Sequence, residues 1–322
     1  MSLGVALAIL TGLSWVVTGA VVGYSERRGY GTARQQRLGN AYIAAISAAV
    51  IAAGMAMRPH SPAYSLRCDA PSAIWTLLCG ALNYAMMIAM GRAMLRGPNG
   101  TVWTIVQSGF VLPFAMGIAL GNTPPAAGGI AGALCVLGGI AAGARSTGAP
   151  PVEEARAGRP CSSGRQPSRV ATSWFLPALA GFLLCGANQC ALALASMGPA
   201  QTRPSPLLRI LLLCAGTFAA MAAHRVAGAK KEKTPPASPW NFRGVCALYA
   251  AVYFLSVFLF QLRALDLLAA AGRISLANPL MLASSLVGFA AYGAIVLRER
   301  PSARQTTGLI LALAGILLMA RG

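Results

Sequence analysis

Acidic residues are scarce in this chain. Its 322 residues contain seven Asp and Glu in total, against 26 Lys and Arg. None of the seven falls in the middle of an apolar run; six lie in connections between runs, and Asp266 lies near the end of one. A proton-coupled exporter of cations is expected to hold a carboxylate near the membrane midplane. The sequence therefore disfavours that mechanism.

Histidines and closely paired cysteines are also lacking. The two histidines, His60 and His224, lie in or beside connections, and the eight cysteines show no CxxC spacing. The chain contains no Walker loop, no HExxH motif and no nucleophile elbow. We therefore expect no metal site, no cofactor, no disulfide framework and no catalytic pair, and we predict that the protein is not an enzyme.

Apolar sequence, in contrast, is abundant, since 56% of the residues are hydrophobic and only 10% are charged. A membrane-spanning helix needs roughly 20 mostly apolar residues. The predicted fold is therefore an all-α integral membrane protein with ten transmembrane helices. The first run lacks a basic start and is followed by further runs, so we interpret it as a retained helix. The ten runs lie at about 2–24, 39–57, 72–94, 100–120, 125–143, 173–198, 205–223, 244–264, 273–297 and 303–320.

The net charge of +19 could indicate nucleic-acid binding or membrane topology. The Lys and Arg residues fall in short connections and form no soluble basic domain, so we expect contact with anionic lipids and no nucleic acid. When basic residues near the ends of runs are counted with the adjoining connection, the odd-numbered connections hold 19 of the 26, and the even-numbered connections with the termini hold seven. The positive-inside rule then predicts a multi-pass inner-membrane protein with cytoplasmic odd-numbered connections and external termini.

A segment rich in Pro, Gly, Ser and Arg divides the ten runs into two sets of five. Two related halves with an odd number of spans must insert in opposite orientations, as in the inverted repeats of many transporters. When the ends of the halves are aligned, Leu120, Pro124 and Gly138 fall against Leu297, Pro301 and Gly315, with Asn122 against Glu299. The predicted organisation is a first repeat at 1–143, a disordered basic linker at 144–172 and a second repeat at 173–322.

The C-terminal region resembles a known family. The helix ANPLMLASSLVGFAAYGAIVL, with Pro279, leads to Arg-Glu-Arg-Pro and then to the glycine-punctuated GLILALAGILL. This pattern is similar to the C-terminal signature of EamA-type carriers of the drug/metabolite transporter superfamily. The stretch LTGLSWVVTGAVVG, with Trp15, is similar to the family's first helix. The resemblance implies a ten-helix inverted-repeat carrier that moves a small organic solute by alternating access. Asn122 replaces an acid common in the family, and many members are assigned cytoplasmic termini.

Neutral polar and aromatic side chains inside the runs are the candidates for a solute site, because polar groups in lipid are costly unless they face protein or water. In the fourth run, Trp103, Gln107, Phe110 and Phe114 share one helical face. A Gln amide between aromatic rings can bind a polar solute, or it can bond across helices as structural glue. The candidate substrate-binding residues are Trp15, Asn83, Tyr84, Trp103, Gln107, Asn188, Tyr249, Tyr253, Asn278 and Ser285.

Three local patterns refine this set. Of the neighbours Asn83 and Tyr84, only one is expected to face inward, since adjacent residues differ by about 100° around a helix, and the same holds for Asn188 and Gln189. Tyr249, Tyr253 and Ser256 line one face of the eighth run. Pro279, next to Asn278, frees a backbone carbonyl, which either opens the backbone to a cavity or merely kinks the helix.

The function that these patterns predict is secondary transport of a small polar metabolite through a mainly uncharged central site. A sugar-type uptake carrier and an exporter of amino acids or metabolites of the same fold both remain open, as does a non-transporting membrane scaffold. Expected partners are the solute and the lipid bilayer. Small-residue faces, such as Gly128 with Gly132 and Gly308 with Gly315, indicate close helix packing within the chain or across a homodimer.

Overall fold

The computed structural model describes residues 3–58, 61, 64–120, 127–144, 167–196, 204–227, 239–261, 263–264, 267–268, 277–298 and 302–321. Within these ranges the side chains of 143–144, 167–173, 196, 239–240, 277–279 and 319–321 are not described. The turn around Glu299, the position of Asn122 and most of the predicted linker lie outside the described residues.

The described residues form helices and no strand. The helices are α1 (Leu3–Arg27), α2 (Thr32–Met57), α3 (Ala70–Arg96), α4 (Asn99–Ala119, with a 3-10 turn at Ser108–Phe110), α5 (Ala127–Ala144), α6 (Pro167–Ser196), α7 (Pro206–Val226), α8 (Pro239–Leu255, continued by a π turn at Ser256–Gln261), α9 (Ala277–Ile295) and α10 (Ala303–Arg321). Seven of them, α1 to α4 and α6 to α8, are long and apolar enough to cross a membrane, and α5, α9 and α10 contain shorter apolar stretches. The prediction of an all-α, multi-pass membrane protein is confirmed.

Helices dominate because the bilayer offers no water to a backbone N–H or C=O, so each segment must satisfy these groups internally. Local signals set several helix starts. The Asp69 carboxylate accepts a hydrogen bond from the Ser72 amide at 3.0 Å and caps α3. Ser205 caps α7 through the Leu208 amide at 3.3 Å, with Pro206 in the first turn. Ser and Asp at N-caps and Pro in the first turn are favourable because these amides have no partner inside the helix.

Two helix starts differ most from the sequence prediction. The sixth helix begins at Pro167, inside the segment predicted as a linker from 144 to 172. The second begins at Thr32, before the predicted start at 39. Its first turns carry the polar sequence TARQQR, which a search for apolar runs excludes. Gln35 and Gln36 are completely buried. Contacts with the rest of the protein, rather than apolar side chains facing lipid, therefore stabilise these turns.

The ends of the bundle are recognisable from contacts between distant segments. At one end, which we call the packed end, the Tyr30 and Phe242 rings lie 4.7 Å apart between centroids. At the other, which we call the cavity end, the Ser205 hydroxyl donates to the Ser65 carbonyl at 2.9 Å. The α1–α2 and α3–α4 turns lie at the packed end, and the α2–α3 connection and the start of α7 lie at the cavity end.

Glycines allow several helix pairs to approach closely. A Cβ at Gly80 of α3 would collide with the Leu213 carbonyl of α7, and one at Gly216 of α7 would collide with the Leu77 carbonyl of α3. A Cβ at Gly315 of α10 would likewise meet the Gly132 carbonyl of α5. The predicted close packing of the Gly132 and Gly315 faces therefore occurs within the chain. Small residues serve this purpose in membranes because they bring helix backbones into contact.

Candidate functional site

A cavity of about 140 Å³ lies between α1, α3 and α4 on one side and α6, α7 and α8 on the other. It extends from the middle of α3 and α4, at Asn83 and Gln107, to the cavity end, where Pro206 starts α7 and Gln261 ends α8. Three helices before residue 144 and three after residue 167 therefore build its wall. A ligand in this cavity would contact both parts of the chain at once.

Amide side chains supply most of the polar surface of the cavity. Asn83 comes from α3, Gln107 from α4, Asn188 and Gln189 from α6, and Gln261 from α8. The Asn188 carbonyl oxygen accepts a hydrogen bond from the Cys79 thiol at 2.6 Å, which holds α3 against α6 beside the cavity. Each amide can both donate and accept hydrogen bonds. The wall can therefore bind hydroxyl, amine and carbonyl groups of a solute.

Aromatic side chains form the apolar part of the wall. Trp103 is 1% exposed and lines the cavity together with Trp15 and Tyr253. Its ring stacks on Phe289 with centroids 4.7 Å apart, and its Nε1 donates to the Ser285 hydroxyl at 2.9 Å. These contacts fix the plane of the indole, so a ligand in the cavity would meet a rigid aromatic surface that costs little side-chain entropy to present.

One cavity residue is charged. Among the lining side chains that the structure describes, Arg209 alone carries a formal charge, and neither Asp nor Glu is present. The side chain is half-buried in the first turn of α7. Sequence reasoning missed it, although the residue lies inside the predicted span at 205–223, where a charge is unusual enough to mark a functional position.

The structure brings six of the ten predicted site residues together at the cavity, places three elsewhere and does not describe the side chain of the tenth. Tyr84 points away from it, with its hydroxyl 2.8 Å from His224 Nδ1, whereas its neighbour Asn83 lines the wall. The Asn278 side chain lies outside the described residues. Tyr249 and Ser285 lie behind the wall, bonded to other side chains. The six cavity residues are Trp15, Asn83, Trp103, Gln107, Asn188 and Tyr253.

Two finer expectations are corrected by the structure. Asn188 and Gln189 both line the cavity, because they lie in a part of α6 that borders it over more than one helical face. Phe110 and Phe114 do not share the cavity with Gln107. They pack against the core, since the 3-10 turn at Ser108–Phe110 interrupts the α-helical periodicity on which the shared face depended.

A cluster of buried amides lies beneath the cavity toward the packed end. The Gln36 side chain donates to Gln35 at 3.0 Å and to the Tyr249 hydroxyl at 3.3 Å, and Asn40 donates to Gln36. Tyr249 stacks on Tyr253 with centroids 5.9 Å apart, and Tyr253 lines the cavity. The two tyrosines therefore connect the cavity wall to this amide cluster.

No metal centre is evident in the described ranges, where no group of three or more His, Cys, Asp or Glu side chains is placed to hold an ion. The chemistry of the cavity is that of amides, aromatic rings and one guanidinium. Such groups can hold a small polar molecule by hydrogen bonding and stacking.

Comparisons with known proteins bear on the fold. No family model and no curated protein matches the chain. A solved structure, described only as "Crystal structure of protein", is similar with a TM-score of 0.53 and 17% sequence identity. The match covers 98% of this chain and 95% of that one. The course of the helices is therefore shared with an experimentally determined protein over nearly the whole length.

Proposed function

We propose that the protein is a secondary transporter that moves a small polar organic solute across the membrane by alternating access. The observation that carries this proposal is the cavity of amide and aromatic side chains inside a bundle of membrane-crossing helices. Transporters place their solute sites near the midplane, between the two halves of the fold. The walls of this cavity come equally from helices on either side of the predicted linker.

The pattern of helix contacts supports two inverted repeats, the arrangement that the resemblance to EamA-type carriers implies. If each helix is exchanged for the one five places further on, most contacts between the halves map onto observed contacts. The α1–α9 contact exchanges with α6–α4, α3–α7 with α8–α2, and α3–α6 with α8–α1, while α2–α7, α4–α9 and α5–α10 map onto themselves. A pseudo-two-fold axis between two related halves produces this kind of exchange.

The size of the cavity favours a small solute. Its volume of about 140 Å³ is close to that of the roughly 150 Å³ cavity known to hold a benzene-sized ligand. Drug-sized ligands occupy pockets of roughly 300 Å³ and more. A compound the size of an amino acid, a small organic acid or a single ring therefore fits better than an oligosaccharide or a nucleotide.

Transport can be tested with the purified full-length protein in proteoliposomes. Uptake of radiolabelled amino acids, hydroxy acids, monosaccharides and nucleosides should identify at least one solute that is carried above the rate of empty liposomes. Replacing Gln107 with Leu should lower uptake of that solute about tenfold or more, because a buried hydrogen bond to the solute is lost.

The matched control is Gln305→Leu. Gln305 is a buried glutamine that caps α10 through the Ser302 amide at 2.8 Å and does not line the cavity. This variant should lose stability and keep its transport rate per folded molecule. If no solute is carried, or if Gln107→Leu transports as well as the native protein, the molecule is better explained as a membrane scaffold.

The distribution of charge supports one orientation. The connections with most of the Lys and Arg residues are those at the packed end, so the positive-inside rule places this end in the cytoplasm and the cavity end outside. A reporter enzyme that is active only outside the cytoplasm should therefore be active when fused after Gly322. A reporter active only in the cytoplasm should be inactive there, and the reverse pair of results would invert the orientation.

A further inference from the structure

We propose that a groove between α2 and α8, at the packed end, binds one anionic phospholipid whose phosphate is held by Arg34 and Arg37. This inference goes beyond the transport function and does not depend on it. It narrows the general expectation of contact with anionic lipids to one defined site on the outside of the bundle.

The groove has a volume of about 270 Å³ and lies between two helices that pack against each other. Phe242 is 3% exposed and forms its inner wall. Arg37 and Ala41 are exposed, so the groove opens to the surroundings of the bundle. Neither Asp nor Glu is among the described residues that border it, so its wall contains no fixed anion there. The bordering residues are Arg34, Arg37, Leu38 and Ala41 of α2 and Phe242 and Arg243 of α8.

The groove residues of α2 form a single stripe along that helix. Positions 34, 37, 38 and 41 have the spacing i, i+3, i+4 and i+7, which places them on one face. The helix begins at Thr32 at the packed end, and each residue advances about 1.5 Å along the axis. Ala41 therefore lies roughly 10 Å further into the bundle than Arg34. The stripe passes from guanidinium groups to apolar side chains, in the order in which a phospholipid passes from phosphate to acyl chain.

The Arg34 guanidinium is already oriented by the protein. It lies 4.9 Å from the centroid of the Phe242 ring. This contact occupies one face of the planar group and leaves the N–H groups at its edge to donate to an acceptor. Arg37 presents a second guanidinium one helical turn away. Two guanidinium groups can donate to different oxygens of one phosphate, and such charge-assisted hydrogen bonds are stronger than neutral ones.

The surroundings of the groove favour a lipid over a soluble anion. The α2 helix is long and apolar enough to cross a membrane, so its first turns lie at the level of the lipid headgroups. Beyond Ala41 the same face continues with the exposed small residues Ala45 and Ala48, beside which an acyl chain can lie. The hydrocarbon layer holds the lipid next to the groove at a high effective concentration. A soluble phosphate has no such anchor.

The test measures binding of the first lipid molecule to the full-length protein in detergent, by native mass spectrometry. The probes are dioleoyl phosphatidylglycerol, which has a net negative charge, and dioleoyl phosphatidylcholine, which has the same acyl chains and a phosphate but no net charge. Phosphatidylglycerol should bind more tightly. In the double variant Arg34→Gln/Arg37→Gln its affinity should fall roughly tenfold or more, because charge-assisted hydrogen bonds to the phosphate are lost. The affinity for phosphatidylcholine should change much less.

The matched control is the double variant Arg92→Gln/Arg96→Gln. These two arginines are exposed in the last turns of α3, at the same end of the bundle, and do not border the groove. Their removal changes the net charge by the same amount, so the affinity for phosphatidylglycerol should stay close to the native value.

A charge-neutral variant tests the groove in a second way. Ala41→Trp places an indole in the groove, at an exposed position where folding should be unaffected. It should also lower the affinity for the first phosphatidylglycerol. If the double variant Arg34→Gln/Arg37→Gln does not fold, Ala41→Trp and the single variant Arg37→Gln, both at exposed positions, decide the question.

Four results would overturn the inference. A native protein that binds both lipids equally would do so, as would groove variants with native affinity for phosphatidylglycerol. An equal loss of affinity in the α3 control would attribute binding to net charge and not to the groove. Glycerol phosphate in excess should not displace the lipid, and displacement would assign the groove to a soluble phosphate. Solute uptake in proteoliposomes tests the transport function separately, so either proposal can fail without the other.

Discussion

The packed end and the cavity end of the bundle differ in how their helices meet. At the packed end, Tyr30 is 4% exposed and packs against Phe242 with the rings tilted by 33°, and the Arg34 guanidinium lies 4.9 Å from the Phe242 ring centroid. At the cavity end, α6, α7 and α8 border an open volume lined by Leu192, Pro206 and Gln261. Aromatic and amide contacts close one end, while the other leaves room for a solute.

The packed end contains buried polar atoms that have no hydrogen-bond partner. Among the described residues, Ser25 Oγ, Thr32 Oγ1 and Gln35 Nε2 are buried at the packed end without a hydrogen bond. Each such atom costs about 1–3 kcal/mol relative to its hydrated state. Opening this end would admit water to them, which offsets part of the free energy lost when the aromatic contacts separate.

Reagent access should show the largest difference between the ends. In a variant without native cysteines, Gln261→Cys at the cavity end should react with a membrane-impermeant thiol reagent much faster than Gln36→Cys at the packed end. Reaction at position 36 requires a minor state, and minor states of such equilibria are populated at about 0.1–10%. The ratio of the two rates should therefore be roughly tenfold to a thousandfold. Equal rates would show that the two ends are equally open.

The second-largest effect is expected when an aromatic contact at the packed end is removed. Tyr30→Ala deletes a buried ring that packs on Phe242, which should cost about 3 kcal/mol of stability. The thermal unfolding midpoint measures this loss. Tyr24→Ala removes a ring that is 37% exposed and should cost much less. If both variants unfold at the same temperature, the Tyr30 contact does not hold the packed end closed.

The hydroxyls of Tyr249 and Tyr253 lie one helical turn apart, and their removal should have different effects. Loss of the first should lower stability, and loss of the second should lower affinity for the solute. Tyr249→Phe removes the group that accepts from Gln36 and leaves a buried amide without that partner, so it should cost about 1 kcal/mol of stability. Tyr253→Phe removes a hydroxyl at the cavity wall. It should lower the affinity for the solute while the unfolding midpoint changes little. The reverse pattern would place Tyr249, rather than Tyr253, in contact with the solute.

The smallest effect is expected for Arg34→Gln. It removes the guanidinium over the Phe242 ring, a contact worth about 0.5–1 kcal/mol at an exposed site. The unfolding midpoint should fall slightly. Arg37→Gln is the control, since Arg37 borders the same surface but the guanidinium over the Phe242 ring is that of Arg34. A drop in the control as large as in Arg34→Gln would attribute the effect to net charge.

Helix positions could be predicted closely because the bilayer imposes a simple requirement. The predicted run at 72–94 corresponds to α3 at Ala70–Arg96, and the run at 303–320 corresponds to α10 at Ala303–Arg321. Length and apolar composition determine such segments. The sequence predicts a helix boundary less well where polar contacts, rather than apolar length, determine it. The start of α2 at Thr32 depends on buried amide contacts, which an apolar pattern cannot reveal.

The candidate site could be predicted only in part. Gln107 and Asn188 were found because an amide inside an apolar run is conspicuous. Tyr249 has the same appearance in the sequence but bonds to Gln36, a residue more than two hundred positions away. Arg209 was overlooked because it lies close to a predicted connection, where a basic residue has an ordinary explanation as a topology signal.

The sequence by itself determined that this is an all-α membrane protein and where most of its apolar helices lie, because apolar content and lipid leave few alternatives. The tertiary structure decided which polar residues share a cavity, which support its wall and which close the packed end. Helical periodicity places a residue on a face of its own helix but does not say which helix will cover that face. That assignment arises from long-range packing, such as the approach of α3 to α6 and α7.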